Sequence, residues 1–475
     1  MAEKFYITTP IYYANDKPHI GSAYPTIAAD VLARFYRYSG TPTFFLTGTD
    51  EHGSKIEQAA RAAGKSPEEF THEMSAKFSF AWDALEISND DFIRTTEERH
   101  KTAVVKFLTA LKSSGKLYEG EYEGLYCVGH EAFIKESELD AEGLCPDHKK
   151  KPDYLKEKNW FFKLSDYTEL MRGKIETREL DIAPAARKNE VLAFLKDGLE
   201  DIAISRPNVK WGIRLPWDDS QTCYVWVEAL FNYISALGYP AEENYKKFWP
   251  ADLHVVGKDI IRFHCLIWPA LLEAVNIPWP KKIFAHGFFT IDGQKISKSL
   301  GNAIDPLDLA QKYGTDAVRY FLLREIPFGQ DGDFSIKKLE ARYDGDLANG
   351  LGNLFSRVTT LIATKLDGVV PDVVPSPRDL SDIESLIVNL NFHEALTRIW
   401  EEIAWANKYI DETKLWEQGE KNPKLFGEVI SGLAALLEEI AKRLAPFMPD
   451  TAEKIRSGVV AEKIVKAEPL FPRLK

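Results

Sequence analysis

The chain is poor in cysteine and has no long apolar run. Four cysteines among 475 residues argue against a disulfide framework and against an oxidising compartment. No apolar stretch approaches the ~20 residues that a membrane-spanning helix needs, so no membrane association is expected. The opening Met1-Ala2-Glu3-Lys4-Phe5-Tyr6-Ile7 enters a strand directly, without the apolar core of a secretory signal. Repeats and low-complexity tracts are also missing. Positive charge is in deficit: the formal net charge is −12. Such a surface has no general affinity for polyphosphate, so nucleic-acid contact would need local basic residues such as Lys337, Lys338, Arg357, Lys365 and Lys408. What is present is ordinary globular composition, 45% hydrophobic and 28% charged. The length suggests roughly three domains, and the cytoplasm is the expected compartment.

Strand and helix signals alternate through the first part of the chain. An apolar strand at Phe5-Tyr6-Ile7-Thr8 precedes Pro18-His19-Ile20-Gly21-Ser22, which opens a helix running to Gly40. Thr43-Phe44-Phe45-Leu46-Thr47 reads as a second buried strand, and Ser66-Pro67-Glu68-Glu69 as a capping box with Pro at the first helical position. This alternation predicts an α/β fold, a Rossmann-like parallel sheet with covering helices. It stops at an insertion of short strand-like pieces and resumes at Leu253-His254-Val255-Val256 and Ile283-Phe284-Ala285. From about residue 336 the pattern is helical. Phe392, Leu396, Ile399, Ile403 and Ile410 share one face, and a final helix runs near Glu428 to Leu444. The predicted organisation is a catalytic first half (1–115), a connective insertion (116–222), a catalytic second half (223–288), a linking region (289–345) and an all-helical domain (346–475).

Two short segments carry the chemistry. A helix N-terminus offers unpaired N–H groups and partial positive charge to a phosphate. His19 and Gly21 stand there, His19 as a hydrogen-bond donor and Gly21 to permit close backbone approach. Far downstream, Lys295-Ile296-Ser297-Lys298-Ser299 follows the hairpin signal Ile291-Asp292-Gly293. Its two lysines can neutralise a polyphosphate leaving group, and do so more strongly as charge develops. Gly257-Lys258-Asp259 and His286-Gly287 end two buried strands, where ligands bind in open α/β sheets.

The paired segments resemble the signature of class I aminoacyl-tRNA synthetases. The stretches Thr9-Pro10-Ile11-Tyr12-Tyr13-Ala14-Asn15 and Cys223-Tyr224-Val225-Trp226-Val227-Glu228-Ala229-Leu230 resemble the methionyl-tRNA synthetases. The resemblance implies catalytic roles for His19, Lys295 and Lys298. It implies ATP binding by these lysines with Gly21, Ser22, Gly257, Asp259 and His286, Asp259 accepting from the ribose. In two places the chain departs from the family pattern: Ser22 replaces a second histidine and Ile296 a methionine. Magnesium (Mg2+) is expected to arrive with ATP.

The resemblance further implies a methionine pocket of Ile11, Tyr13, Trp226, Ala229, Leu230, Tyr233, Ile260 and His264, with Asp50 pairing the substrate ammonium. A long, polarizable thioether suits aromatic walls, though Tyr224-Val225-Trp226-Val227 taken alone reads as a buried strand. In the insertion, Cys127-x-x-His130 and Cys145-x-x-His148 have the donor types and spacing of a structural zinc (Zn2+) knuckle, or of a degenerate one that has lost its metal. In the helical region, Asn353 and Arg357 lie one turn apart in a segment resembling the anticodon-reading helix, with Trp416 at the stacking position. The activity so implied joins methionine to tRNA(Met) through an adenylate, in a chain expected to be monomeric. Two other readings share part of the pattern. A small-molecule nucleotidyltransferase would not need the helical domain, and a silent tRNA-binding homologue would not need His19, Asp259, Lys295 and Lys298.

Overall fold

Six parallel strands form the centre of the computed structural model, which describes residues 3–127, 132–146, 149–291, 293–296, 302–370 and 374–474. They are β1 (Phe5–Tyr13), β2 (Thr43–Asp50), β3 (Asp91–Arg94), β4 (Asp181–Ala183), β5 (Leu253–Gly257) and β6 (Lys282–His286). Across the sheet they run β3-β2-β1-β5-β6-β4, every neighbouring pair parallel. The chain steps outward from β1 to one side and later from β5 to the other. The gap between the carboxyl ends of β1 and β5 is therefore the switch point at which such sheets take ligands.

Alternation along β1 divides the interior. Phe5 and Ile7 face one apolar cluster and Tyr6 the other. Helix α1 (Ile20–Tyr38) covers the first face, and that cluster continues without a break into the helical domain, where Ile399 and Leu437 belong to it. Pro10 has no N–H for the ladder, and the β1–β2 register slips between Thr8 and Ile11. Such bulges re-aim side chains beside sites, and here the slip immediately precedes Ile11 and Tyr13.

Sequence and structure part company at three places in this frame. Strand β4 lies inside the range assigned to the insertion yet closes one edge of the main sheet beside β6. Elsewhere the insertion holds an antiparallel layer, with Leu117–Cys127 paired against Asp153–Phe162, and two helices, Thr168–Glu176 and Ala185–Phe194. The Tyr-Val-Trp-Val run folds as helix α2 (Val225–Leu230) directly after a strand ending at Cys223. The last long helix starts earlier than expected, at Pro423, where the Asn422 side chain accepts from the Leu425 N–H, and a further helix, Pro449–Val460, follows it.

Two helices carry the far end of the molecule, α3 (Asn353–Lys365) and α4 (Phe392–Glu412). The sheet and the helical domain meet at Arg319, whose side chain is wholly buried. Its guanidinium donates to Phe447 O at 2.8 Å, Leu85 O at 3.1 Å, Pro446 O at 3.0 Å and Asp30 Oδ2 at 2.7 Å. Burial alone would raise the Asp30 carboxyl, but Arg319 and Arg34 outweigh it and hold that group below the usual carboxylate range. Among the described residues, no helix is long and apolar enough to cross a membrane.

Candidate active site

His19 occupies the N-cap of α1 in extended backbone, with φ −140° and ψ 174°. Its Nδ1 accepts from the Gly21 N–H at 3.0 Å, so Nδ1 carries no proton. Burial also holds the imidazole below its ordinary pKa. The neutral ring therefore carries its proton on Nε2, which leaves Nε2–H as the donor not used by the cap. Gly21 is required for this arrangement: a Cβ there would lie 2.8 Å from His19 Cε1 and 2.9 Å from Nδ1. The glycine thus makes room for the histidine.

Ser22 has a structural partner inside the cap. Its side chain is buried inside the cap, bonded to His19 N at 3.1 Å and to His19 O at 2.8 Å. The hydroxyl thereby helps to hold His19 in its capping position.

Across the switch point, Asp259 is exposed on the turn after β5, and a Cβ on Gly257 would come 2.6 Å from its Oδ1. Lys258 is ion-paired with Asp331. His286, at the end of β6, is buried; its Nδ1–H donates to Gly287 O at 2.8 Å and its ring stacks near Phe328 at 5.9 Å. Lys295 stands on the short strand Gln294–Lys295, paired with Thr290 of the neighbouring strand Phe289–Ile291. Lys298 lies outside the described residues.

The residues expected to line a methionine pocket come from four segments. Tyr13 donates its hydroxyl to His52 O at 3.0 Å, and Asp50, buried, ends β2 in register with Tyr13. Helix α2 carries Trp226, Ala229 and Leu230 at positions i, i+3 and i+4, so they share a face. Ile260 closes the first turn after β5, and its carbonyl takes the Nδ1–H of His264 at 3.0 Å. The Tyr233 hydroxyl donates to His264 Nε2 at 2.8 Å. His264 thus has the opposite tautomer to His19, and burial pushes it down to about 4, so it is neutral near pH 7. It sits in a π-helical segment, Phe263–Ile267, whose wider turn is a frequent feature of functional sites.

Sequence reasoning missed Phe263, which stacks on Trp226 at 4.5 Å and 16°; its only signal was its place next to His264. It also missed a buried chain in which Glu228 takes His52 Nδ1–H at 2.8 Å and His100 Nε2–H at 3.0 Å. Its members come from three distant segments, and no spacing could have announced them.

Of the metal-type residues, Cys127 and Cys145 are buried together in a small cluster with Ile134. His130 and His148 lie outside the described residues. Paired buried thiols fit the thiolate half of a tetrahedral zinc site.

At the far end, Asn353 Nδ2 donates to Asn407 Oδ1 at 2.9 Å, and Arg357 pairs with Asp411. Asn407 and Asp411, both on α4, were not foreseen. Trp416 is 44% exposed on the next helix, Leu415–Lys421. Asn353 and Arg357 thus both meet α4, and the exposed indole of Trp416 lies on the helix that follows it.

A switch-point crevice with a histidine-capped helix, and a helical domain presenting an amide, a guanidinium and an indole, together define a class I tRNA synthetase. The sequence profile described as tRNA synthetases class I (M) matches residues 5–154 and 145–359, and that of the anticodon-binding domain of tRNA ligase matches 378–473. The chain belongs to this family. Its relatives include the methionine--tRNA ligase of Thermotoga maritima, 46% identical over 99% of this chain and 80% of the relative. That of Rickettsia felis is 45% identical over 100% of this chain and 95% of its own. Among solved structures, Mycobacterium tuberculosis methionyl-tRNA synthetase in complex with methionyl-adenylate superposes with TM-score 0.94 at 37% identity, covering 99% of this chain and 100% of that one. The apo form of the same enzyme gives 0.84 at 34% identity, covering 100% and 99%.

Proposed function

We infer that the chain is a methionine–tRNA ligase that forms methionyl-adenylate from methionine and ATP, releases pyrophosphate, and passes the methionyl group to the 3′ end of tRNA(Met). The observation that supports this reading is that His19 caps the helix after β1, Tyr13 and Asp50 end β1 and β2 in register, and His264 follows β5, all at the carboxyl end of the sheet. The relatives at 46% and 45% identity, both methionine--tRNA ligases, support it.

In this reading the triphosphate lies over the N-terminus of α1. His19 Nε2–H donates to it, with more effect as charge builds on the phosphate oxygens in the transition state. Gly257 and Asp259 hold the ribose, and Lys295 and Lys298 neutralise the departing pyrophosphate. Mg2+ enters with ATP and is held mainly by phosphate oxygens. Asp50 pairs the methionine ammonium, which leaves the carboxylate free to attack the α-phosphate in line. Ile11, Tyr13, Trp226, Ala229, Leu230 and Ile260 enclose the side chain, with Phe263 behind Trp226. Tyr233 is already donating to His264, so the pair offers the thioether no strong donor, which suits a weak acceptor. No side chain serves as a covalent nucleophile; positioning and electrostatics supply the rate.

Asn353 and Arg357 read anticodon base edges while Trp416 stacks on a base. Cys127, His130, Cys145 and His148 would hold a structural zinc, supported by the shared burial of the two thiols. We place the enzyme in the cytoplasm as a monomer, which light scattering tests. The deciding experiment for the activity is amino-acid-dependent ATP–pyrophosphate exchange without tRNA. Exchange with methionine alone is expected; exchange with another amino acid refutes the pocket, and none at all refutes the activation chemistry.

A further inference from the structure

The amino-acid pocket has two walls that come from distant parts of the chain. One is the end of β1 and β2, with Ile11, Tyr13 and Asp50. The other is α2 and the π-helical segment, with Trp226, Ala229, Leu230 and His264. His52 touches both. Its carbonyl receives the Tyr13 hydroxyl at 3.0 Å, and its Nδ1–H donates to Glu228 Oε1 at 2.8 Å, one residue before Ala229. Trp211 braces the same loop: its indole N–H donates to Glu51 O at 2.6 Å, and its ring meets the His52 ring edge-on at 5.5 Å. The other oxygen of Glu228 takes His100 Nε2–H at 3.0 Å, and His100 Nδ1 meets Ser235 Oγ at 2.9 Å. Glu228 and His100 are 0% exposed, Ser235 1% and His52 3%.

We propose that Glu228 is a positioning residue that clamps the two walls of the pocket at a fixed spacing through His52, and so sets which side-chain length the pocket accepts. This rests on the amino-acid pocket proposed above and goes beyond it. A buried carboxylate adds little net stability over apolar residues of the same volume, whereas a fully bonded buried network fixes one arrangement of the groups around it. Beside a pocket that must tell apart substrates differing by a methylene, that fixed arrangement has a use.

The clamp depends on reach, not charge, and two near-isosteric variants separate these. Glu228→Gln keeps the reach. Its Oε1 still accepts from His52, and its amide N–H can serve His100 Nε2 once the His100 proton moves to Nδ1 and faces Ser235 Oγ. The Ser235 hydroxyl is then free to donate to Asn232 O, 3.3 Å away. Glu228→Asp keeps the charge but is one methylene short of bridging both histidines.

In ATP–pyrophosphate exchange, Glu228→Asp should raise the methionine KM about tenfold, the loss of roughly one buried hydrogen bond. It should leave the ATP KM unchanged and narrow the kcat/KM preference for methionine over ethionine, which is one methylene longer. Glu228→Gln should stay within about threefold of the parent on both substrates. Gln as damaging as Asp overturns the clamp in favour of a charge effect, and equal rises in both KM values overturn it in favour of general loosening. If Glu228→Asp does not fold, Ser235→Ala, which releases the far end of the chain, should still raise the methionine KM selectively; an unchanged KM overturns the proposal. If the parent exchanges with a different amino acid, the methionine reading falls, while the Asp–Gln contrast measured with that substrate still decides the clamp.

Discussion

Gly21→Ala separates stability from chemistry at the nucleotide site. The new Cβ would sit 2.8 Å from His19 Cε1 and 2.9 Å from Nδ1, closer than such contacts occur, so the imidazole must swing away. Losing the Gly21 N–H···Nδ1 bond costs about 1 kcal/mol. Replacing glycine by alanine in a helix returns up to about 1 kcal/mol. The two nearly cancel, and for a chain of this size the melting temperature should move by no more than about 2–4 °C. Activity has no such compensation. If Nε2–H of the correctly seated ring contacts the phosphates, its displacement removes a hydrogen bond to a charged group, about 1.5–3 kcal/mol, or roughly 10- to 150-fold in the exchange rate. Thermal unfolding and ATP–pyrophosphate exchange on the same preparation measure both quantities. An unchanged exchange rate would show that the seating of His19 is irrelevant to catalysis. A collapse in melting temperature would instead make Gly21 a purely structural glycine.

Two further outcomes follow from the geometry. His264 is buried neutral with its pKa lowered by burial to about 4 from an ordinary value near 6.5, so between those limits the unfolded chain binds a proton that the native one does not, and stability rises with pH across the window. His264→Gln should remove that slope; in urea unfolding the parent should lose about 2 kcal/mol more than the variant between pH 7 and 5, and parallel pH profiles would refute it. At the far end, Asn407 holds Asn353 at 2.9 Å and reaches Gly350 O at 3.1 Å. Asn407→Ala should therefore raise the tRNA KM in aminoacylation about tenfold while leaving tRNA-independent exchange untouched; a change in exchange would place Asn407 in the fold instead.

The sheet and the first helix were legible because they obey local rules. Periodic apolar residues mark β1 and β2, and the Ser66 capping box forms as read, Ser66 Oγ taking the Glu69 N–H at 3.2 Å. What escaped was set by distance or by context. Strand β4 has three residues, too few to show a period. The β-branched run at Tyr224 has strand propensity, but packing makes it helical; the spacing of Trp226, Ala229, Leu230 and Tyr233 was the better signal, since it is the spacing of one helix face. Ser22 could be read as a polar residue at the right place, but not as one turned inward to its own cap. Glu228, His52 and His100 meet only because the chain folds, and pairing at such separation leaves no trace in order along the sequence.

The continuous core and the Arg319 junction bear on how this molecule can be taken apart. A boundary near residue 345 divides two architectures, but it does not divide two cooperative units. A fragment ending there would strip Arg319 of the Pro446 and Phe447 carbonyls, bare the apolar flank of the sheet's covering layer, and leave a buried cation short of partners. Such a piece would be sticky and loosely packed, not a minimal enzyme. In a calorimeter the intact chain should melt as one body, and a protease should find no stable half to release. The part that would read RNA is thus also part of the scaffold on which the adenylate would be made.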